Sequence, residues 1–282
     1  KNDEVSYRAE LRRGLSETLN GSISYVRSDR GGSDWLINTL NNGTIGSNLL
    51  YPIYLADRTR DKWRGVLDWT PIEPLSLHFV LESAEDEYTS KYVGMRDGNA
   101  RLFSFDAAYA LGNGWQARAF FSRDDTRSTL LTCQASTTAS PLPDSNSFCP
   151  NTAANTTWDA RLKTVGDAFG LGLRGKPNER LDISADVQYF HDRAEHNMNA
   201  LSPGAAPADV LPNIKYERVT LRLFGTYALD KVSKIRLTLI HDRFKTDDWT
   251  WTNYVYSDGT TVRQDSPQNV TFIGLSYLYS FR

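Results

Sequence analysis

Apolar and polar residues alternate with a period of two along most of the chain. In the segment NVTFIGLSYLYSF, residues 269–281, Ile273, Leu275 and Tyr277 fall on one side of an extended backbone, whereas Gly274 and Ser276 fall on the other. Such alternation predicts amphipathic β-strands. About eleven segments share it, and their apolar positions run over Val5 to Leu11, Leu19 to Tyr25, Trp63 to Trp69, Leu75 to Leu81, Phe103 to Leu111, Trp115 to Phe121, Phe169 to Leu173, Leu181 to Tyr189, Val219 to Tyr227, Ile235 to Leu239 and Ile273 to Phe281.

The positions between these apolar residues are polar, and several carry a charge in the middle of a predicted strand. No segment has a helical period of useful length, so the pattern predicts an all-β fold. In a soluble sandwich the charged residues would face solvent, whereas in a membrane barrel they would line the lumen. They are Lys62, Arg64, Asp68, Arg118, Asp182, Asp186, Arg222, Lys234 and Arg236.

The connections between the predicted strands alternate between short and long. Short turns are predicted at 12–14, 71–74, 112–114, 175–178 and 230–231, and long loops near 30–58, 88–99, 128–156, 195–213 and 246–268. Tight turns on one side and long loops on the other are typical of outer-membrane barrels, and a Greek-key sandwich has no reason to alternate in this way. We therefore predict that residues 1–282 form one transmembrane region, an antiparallel up-and-down β-barrel with about 11–12 strands in this chain.

The strand count predicts that the barrel is larger than this chain. The loop before the last strand is long, so that strand runs from the outside to the periplasm, and counting back makes the first strand run inward as well. Bacterial barrels normally have an even number of strands, so we expect the C-terminal part of a larger barrel. A strand missed inside a long loop is the alternative, and residues 249–256 are the best place for one.

Composition narrows the class of protein. Apolar residues make up 40% of the chain and the mean hydropathy is −0.49, with no apolar run of about 18 residues that would indicate a membrane helix. The net charge of −2 gives no basic stripe for nucleic acid. Lys1 leads straight into a strand-like pattern, so we expect that a signal segment was removed or that the chain starts within a longer protein.

Few residues suggest site chemistry. No Cys-x-x-Cys-His occurs, so this chain attaches no haem covalently. Cys133 and Cys149 lie in one predicted external loop, where an oxidising compartment favours a disulfide over free thiols. The carboxylates Glu82, Glu85, Asp86 and Glu87 could bind Ca²⁺, although a solvated acidic rim is the simpler interpretation.

Catalysis has little support in the sequence. An outer-membrane hydrolase would need Ser, His and carboxylate side chains that converge at one place. Asp124, Asp125 and His191 are the nearest candidates, but no motif spacing joins them. We expect a protein that is not an enzyme.

Residues 216–251, YERVTLRLFGTYALDKVSKIRLTLIHDRFKTDDWTW, followed by the closing strand, resemble the C-terminal end of the MtrB/PioB family. The resemblance is carried by the turn from Tyr227 to Lys231, the basic and apolar strand from Lys234 to Leu239, and Asp247-Asp248-Trp249 before the last loop. It is strongest over about the last 70 residues and diffuse before them. These proteins are the outer-membrane porins of porin–cytochrome electron conduits.

The resemblance implies a barrel in the bacterial outer membrane that sheathes a multihaem c-type cytochrome inserted from the periplasmic side. An extracellular multihaem cytochrome commonly docks outside, and the haem belongs to the partners, so we expect no cofactor in this chain. A general or substrate-specific diffusion channel is the alternative. Expected lumen contacts with the partner are Lys62, Arg64, Arg118, Gly170, Gly172, Arg222, Lys234 and Arg236.

Aromatic residues on the apolar parity are the expected contacts with lipid. Trp63 and Trp69 lie six residues apart in one strand, about 20 Å at the rise of a strand, which nearly brackets the apolar band of a tilted barrel strand. We expect Tyr277, Tyr279 and Phe281 to form the periplasmic girdle. In a sandwich these side chains would be core aromatics instead.

Overall fold

A computed structural model describes residues 2–32, 48–49, 56–89, 94–134, 156–201, 211–251, 254–255, 259, 261–262 and 267–281. The only helix in these ranges is a single 3₁₀ turn, Trp249–Trp251, and none of them contains a helix that could span a membrane. The strands are β1 Asn2–Ser16, β2 Leu19–Gly32, β3 Asn48–Leu49, β4 Arg58–Ile72, β5 Leu75–Tyr88, β6 Gly94–Gly112, β7 Trp115–Gln134, β8 Thr156–Asn178, β9 Leu181–Ala200, β10 Ile214–Ala228, β11 Ser233–Asp247, β12 Tyr254–Val255, β13 Thr261–Val262 and β14 Gln268–Tyr279.

Eleven long strands form one antiparallel meander in the order β1-β2-β4-β5-β6-β7-β8-β9-β10-β11-β14. Each strand pairs with its sequence neighbours, which confirms the predicted up-and-down sheet. The sheet is not closed: β1 and β14 lie at its two edges, and each is paired along one side. The short strand β3 pairs antiparallel with the last residues of β7, and β12 pairs with β13 in a separate hairpin.

The register places odd-numbered residues on one face between the turns and bulges, and even-numbered residues on the other. For example, Phe79 lies opposite Leu67 and Phe105, and Phe121 lies opposite Phe169. Aromatic rings stack across the strands on this odd face, with centroid distances of 4.9 Å for Phe79–Phe105 and 5.1 Å for Phe169–Tyr189. We call the odd face the apolar face and the even face the polar face.

The apolar face is exposed over most of the sheet. Leu275, Leu171 and Leu81 are 76%, 62% and 61% exposed. Among the described residues, the buried apolar side chains are few and small: Ala56, Val80, Ala84, Ala160 and Val165. A soluble domain does not leave so large a continuous apolar surface in water. The apolar face therefore requires lipid as its solvent.

The strands are longer than a membrane requires. A tilted strand crosses the hydrocarbon with about 9–11 residues, but β8 has 23 residues and β7 and β9 have 20 each. In β7 the apolar face holds apolar residues from Trp115 to Phe121 and then Arg123 and Asp125. The strands therefore continue beyond an apolar band, on the side away from the short turns.

These extensions make several loops shorter than predicted. Only residues 89–93 separate β5 from β6, and only 135–155 separate β7 from β8. The extensions were missed because their odd-numbered positions are mostly polar, so the alternation that indicates a strand stops where the lipid stops.

Two short turns also lie at other positions than predicted. Gly14 stays in the ladder opposite Asn20, with a register shift before Ser16, and the first turn is at Glu17 and Thr18 instead. Similarly, β8 continues through Gly175 to Asn178. Glycine suggested a turn at both places, but a glycine also occurs inside strands where a bulge or a close contact needs it.

The turn at Asn113 and Gly114 is where it was predicted. Asn113 has φ of 50° and Gly114 has φ of 76°, as a two-residue type I′ hairpin turn requires. The segment 249–256 does not supply a further strand to the main sheet. Its described residues form the 3₁₀ turn and one strand of the β12–β13 hairpin, so the meander keeps its odd count.

The ring of Trp115 covers Gly175 on the apolar face. Gly175 is buried, and a Cβ at this position would lie 2.1 Å from Cδ2 of Trp115. The glycine is therefore required by the ring, in the arrangement by which an aromatic residue shields a strand glycine.

We predict that Gly175→Val lowers the free energy of unfolding by about 1–3 kcal/mol, because Trp115 must leave its rotamer. The matched control is Gly225→Val, since Gly225 also lies on the apolar face but a Cβ there would meet nothing within 4 Å. Denaturant unfolding in detergent or liposomes measures both changes. Equal effects of the two substitutions would contradict the role of Trp115.

Asp230 organises the turn between β10 and β11. Its carboxylate accepts hydrogen bonds from the backbone N–H groups of Val232 and Ser233, at 2.8 Å each. The bond from Val232 is the main cause that lowers the pKa of Asp230 below its ordinary value of 3.8. The charged form therefore stabilises the turn.

We predict that Asp230→Ala destabilises the protein by an amount that is constant at neutral pH. Because the pKa is lowered in the folded state, this difference should shrink as pH falls below 3.8 and through the lowered pKa. Unfolding midpoints of the two proteins, measured from pH 7 to pH 3, test this. Asp230→Asn keeps an acceptor oxygen without a titrating group and serves as the control. If the difference in unfolding midpoint between wild type and Asp230→Ala stays constant down to pH 3, the prediction is wrong.

Candidate functional site

Cross-strand ion pairs cover much of the polar face. Arg60 binds Asp86 through two hydrogen bonds of 2.6 Å, and Arg218 binds Asp242 through two of 2.9 and 3.1 Å. Each pair joins residues on neighbouring strands that lie opposite or diagonally to each other. An exposed pair contributes little stability. Its main effect here is to cancel charge locally, so that a large polar surface carries little net charge.

The predicted acidic cluster is divided between the two faces. Glu82 and Asp86 lie on the polar face, where Lys62 pairs with Glu82 at 2.5 Å and Arg60 pairs with Asp86. Glu85 and Glu87 have the opposite parity. The four carboxylates therefore do not converge, and within the described residues no group of three or more His, Cys, Asp or Glu side chains could hold a metal ion.

The expected lumen contacts all have even numbers and lie on the polar face: Lys62, Arg64, Arg118, Gly170, Gly172, Arg222, Lys234 and Arg236. Some are engaged within the sheet. Lys62 and Arg64 share Glu82, Arg118 donates to Gln116, and Arg236 donates to Thr226 at 3.2 Å. Contact of the eight residues with a partner stays a prediction.

Gly170 and Gly172 lie beneath side chains of neighbouring strands. A Cβ at Gly170 would lie 2.3 Å from Cε1 of Phe120, and one at Gly172 would lie 2.5 Å from Oδ1 of Asp186. The barrel's own side chains thus give a structural reason for both glycines, independent of any partner.

A dense group of basic residues lies on the polar face at the end with the short turns. We call this group the basic mouth, and it consists of Arg174, Lys176, Arg180, Lys231, Lys234 and Arg236. It borders a concavity of about 810 Å³, together with the carboxylates of Glu179 and Asp182. Asp182 binds Arg174 at 2.8 Å. In the part of the chain that the structure describes, the other five basic residues have no carboxylate at ion-pair distance.

Sequence analysis identified only Lys234 and Arg236 of this group. The others lie in β8, in the turn between β8 and β9, and in the turn between β10 and β11. These turns are far apart in sequence, but the pairing of β9 with β10 brings the two hairpins side by side. Basic residues in successive short turns of a meander were the signal that could have revealed the group.

The expected girdle residues lie on the apolar face, except Phe281, which follows the end of β14. Trp63 and Trp69 are 53% and 40% exposed, at opposite ends of the apolar stretch of β4. Tyr277 donates a hydrogen bond to Ser233 at 3.0 Å, and the ring of Tyr279 contacts Phe281 at 4.9 Å. Trp63 contacts Tyr25 at 4.7 Å, next to the ion pair of Arg27 with Asp61 at 3.3 Å. Their contact with the membrane interface stays a prediction.

The remaining sequence candidates are separated by the fold or lie outside the described residues. Asp124 lies on the polar face, whereas Asp125 and His191 have the opposite parity, so these three do not converge. Cys133 lies near the end of β7, paired with Leu49 and Thr157. Cys149 lies outside the described residues, so the disulfide stays a prediction.

Solved outer-membrane proteins share this architecture. The chain is similar to the alcaligin outer membrane receptor FauA from Bordetella pertussis, with a TM-score of 0.62 and 14% identity over 99% of this chain and 39% of that one. It is also similar to the ferric preacinetobactin receptor BauA from Acinetobacter baumannii (TM-score 0.59, 12% identity, 98% of this chain and 44% of that one). The ferric yersiniabactin uptake receptor FyuA from Yersinia pestis is similar with a TM-score of 0.52 and 12% identity, over 98% of this chain and 42% of that one. The chain spans less than half of each of these proteins, and identities this low show the fold alone.

No curated protein matches the sequence. A family model described as outer membrane beta-barrel porin, MtrB/PioB, matches residues 1–281. The match covers nearly the whole chain and includes the segment from 216 to 251 that carried the resemblance. Together with the solved barrels it assigns the protein to the bacterial outer membrane. The chain belongs to the MtrB/PioB family of outer-membrane β-barrel porins.

Proposed function

We propose that the chain forms part of the wall of a barrel that holds and insulates a multihaem c-type cytochrome, so that electrons can cross the outer membrane. The family and the resemblance at residues 216–251 support this proposal. The haem belongs to the partner, since this sequence has no Cys-x-x-Cys-His motif. The wall itself contributes position and insulation, and we propose no catalysis.

The barrel in this proposal is larger than eleven strands. In hydrocarbon every backbone N–H and C=O group must have a partner within the protein, and the outer edges of β1 and β14 have none within the main sheet. We propose that further strands pair with both edges. A wider barrel has a wider lumen, as a lumen that holds a folded protein requires.

The basic mouth is the observation that carries the proposal. Short turns face the periplasm in barrels of this kind, so the group lies where a periplasmic partner would enter. Five of its six basic residues are without a carboxylate at ion-pair distance among the described residues, whereas many basic residues elsewhere on the polar face, such as Arg60 and Arg218, are paired. Unpaired positive charge attracts an anionic surface over long distances and fixes its orientation. Acidic side chains and exposed haem propionates of a cytochrome provide such a surface.

The opposite end of the wall suits an extracellular partner. The strand extensions beyond the apolar band form a tall rim whose odd-numbered face is mostly polar and charged. We propose that an extracellular multihaem cytochrome docks on this rim, where it would contact protein rather than lipid.

A diffusion channel is the second candidate function. The family is described as a porin, and a polar face with paired charges of both signs is also suited to a water-filled lumen. The two functions differ in what occupies the lumen.

We predict that the intact protein, purified from outer membranes in mild detergent, elutes with a haem Soret band in fixed ratio. The triple substitution Lys231→Glu, Lys234→Glu and Arg236→Glu should remove most of the haem, because an attractive surface becomes a repulsive one. Loss of about tenfold or more in cytochrome retention is expected, since close charge pairs at interfaces couple by several kcal/mol. The effect should weaken at high salt.

The matched control is Lys215→Glu, Arg243→Glu and Lys245→Glu. These residues lie in β10 and β11, the hairpin that also carries Lys231, Lys234 and Arg236. They are exposed, but they have the parity of the apolar face and lie beyond the apolar band. The control should retain haem at the wild-type ratio. If both triple variants retain haem, the basic mouth does not bind the cytochrome.

The channel hypothesis makes a different prediction. A colourless wild-type protein that conducts ions in planar bilayers, with a conductance of a water-filled barrel, would favour the channel and reject the sheath. A wild-type protein that carries haem should conduct poorly, because the guest fills the lumen. Removal of the cytochrome should then raise the conductance.

A further inference from the structure

A groove crosses the apolar face at the edge of the apolar band farthest from the short turns. Small residues form its floor: Ser83 lies between Trp63 and Arg101 in the register, and Gly65 lies between Ile23 and Leu81. A Cβ at Gly65 would meet nothing within 4 Å. The groove has a volume of about 570 Å³, and its apolar walls are Ile23, Trp63, Leu81 and Phe103.

Two arginines, Arg101 and Arg123, lie at the upper rim of this groove. Arg123 pairs with Asp167 at 3.3 Å. The carboxylate nearest to Arg101 in the register is Asp125, but both of its oxygens bind Arg127 at 3.0 Å. Arg101 therefore has no carboxylate at ion-pair distance within the described residues, although it is exposed next to a lipid-facing surface.

We propose that this groove binds a phosphorylated glycolipid of the outer leaflet, with the chemistry of lipid A. An acyl chain lies over Gly65 and Ser83 between the apolar walls, and a sugar phosphate binds Arg101 with support from Arg123. The two arginines lie at the depth expected of lipid head groups in the outer leaflet, because they lie where the apolar band ends on the side of the long loops. One guanidinium group can donate two hydrogen bonds to a phosphate group. Asp125 also lines the groove, but its oxygens are held by Arg127, so Arg101 remains able to bind such an anion.

The protein contains an internal comparison. A second groove on the apolar face, of about 390 Å³, lies around Gly225 near the short turns. Its lining residues, which include Leu223, Leu237 and Leu239, are all uncharged. Such a groove offers an acyl chain the same apolar contact but gives a head group no partner. Head-group selectivity should therefore belong to the first groove.

The test is native mass spectrometry of the intact protein after mild delipidation and titration with defined lipids. Wild type should bind lipid A, and Arg101→Gln should weaken this binding about tenfold or more, as expected for the loss of a charge-assisted hydrogen bond. Gly65→Leu fills the groove and should weaken it similarly, whereas Gly225→Leu should not. Dephosphorylated lipid A should bind wild type as weakly as lipid A binds the Arg101→Gln variant.

Arg101→Gln changes one exposed side chain, so its folding can be confirmed by heat-modifiable migration and by unfolding midpoints. Unchanged lipid A binding in this variant would overturn the proposal. Equal binding of phosphatidylglycerol and lipid A by wild type would also overturn it, since the groove would then take any anionic lipid. Equal loss of binding in Gly65→Leu and Gly225→Leu would show that the site is not the groove described here.

Discussion

Inside a bilayer no water is available to hydrogen-bond the peptide groups, and the whole structure depends on the antiparallel ladder that pairs them. The ladder also fixes the faces, because a shift of one residue between two strands would exchange their faces. Between the turns and bulges, odd residues pair with odd residues across all eleven strands. One continuous apolar surface and one continuous polar surface follow from this pairing alone, without a buried core.

The two faces of the same strands meet different surroundings. On the apolar face, aromatic and aliphatic side chains meet lipid, and the charged residues begin where the lipid ends. On the polar face, pairs such as Arg60 with Asp86 and Arg218 with Asp242 cancel charge locally. The basic mouth differs in that its basic residues are clustered, and Arg174 is its one basic residue with a carboxylate partner in the described part of the chain. Where a protein leaves charge unbalanced next to balanced charge, a binding partner is the simplest physical reason.

The sequence predicted the fold well because lipid imposes the strictest pattern. The parity from Leu75 to Leu81 and from Trp115 to Phe121 was visible directly, and so were the turn at Asn113 and the odd number of strands. The strand ends were not visible, since beyond Arg123 neither face must be apolar. Gly14 and Gly175 suggested turns, but both lie in strands, and the reason for Gly175, the ring of Trp115, depends on a neighbouring strand. The basic mouth depends on pairing between hairpins, which alternation within one strand cannot reveal.

The strand extensions have a geometric consequence for anything that the barrel holds. In β8 the apolar face ends at Phe169, and the strand continues from Asp167 back to Thr156. Twelve residues at the rise of a strand, tilted as in a barrel, correspond to roughly 30 Å of height. At β8 the wall of the barrel therefore rises well above the membrane surface. Anything held against the polar face of β8 at that height would have protein, rather than lipid, between it and the outside.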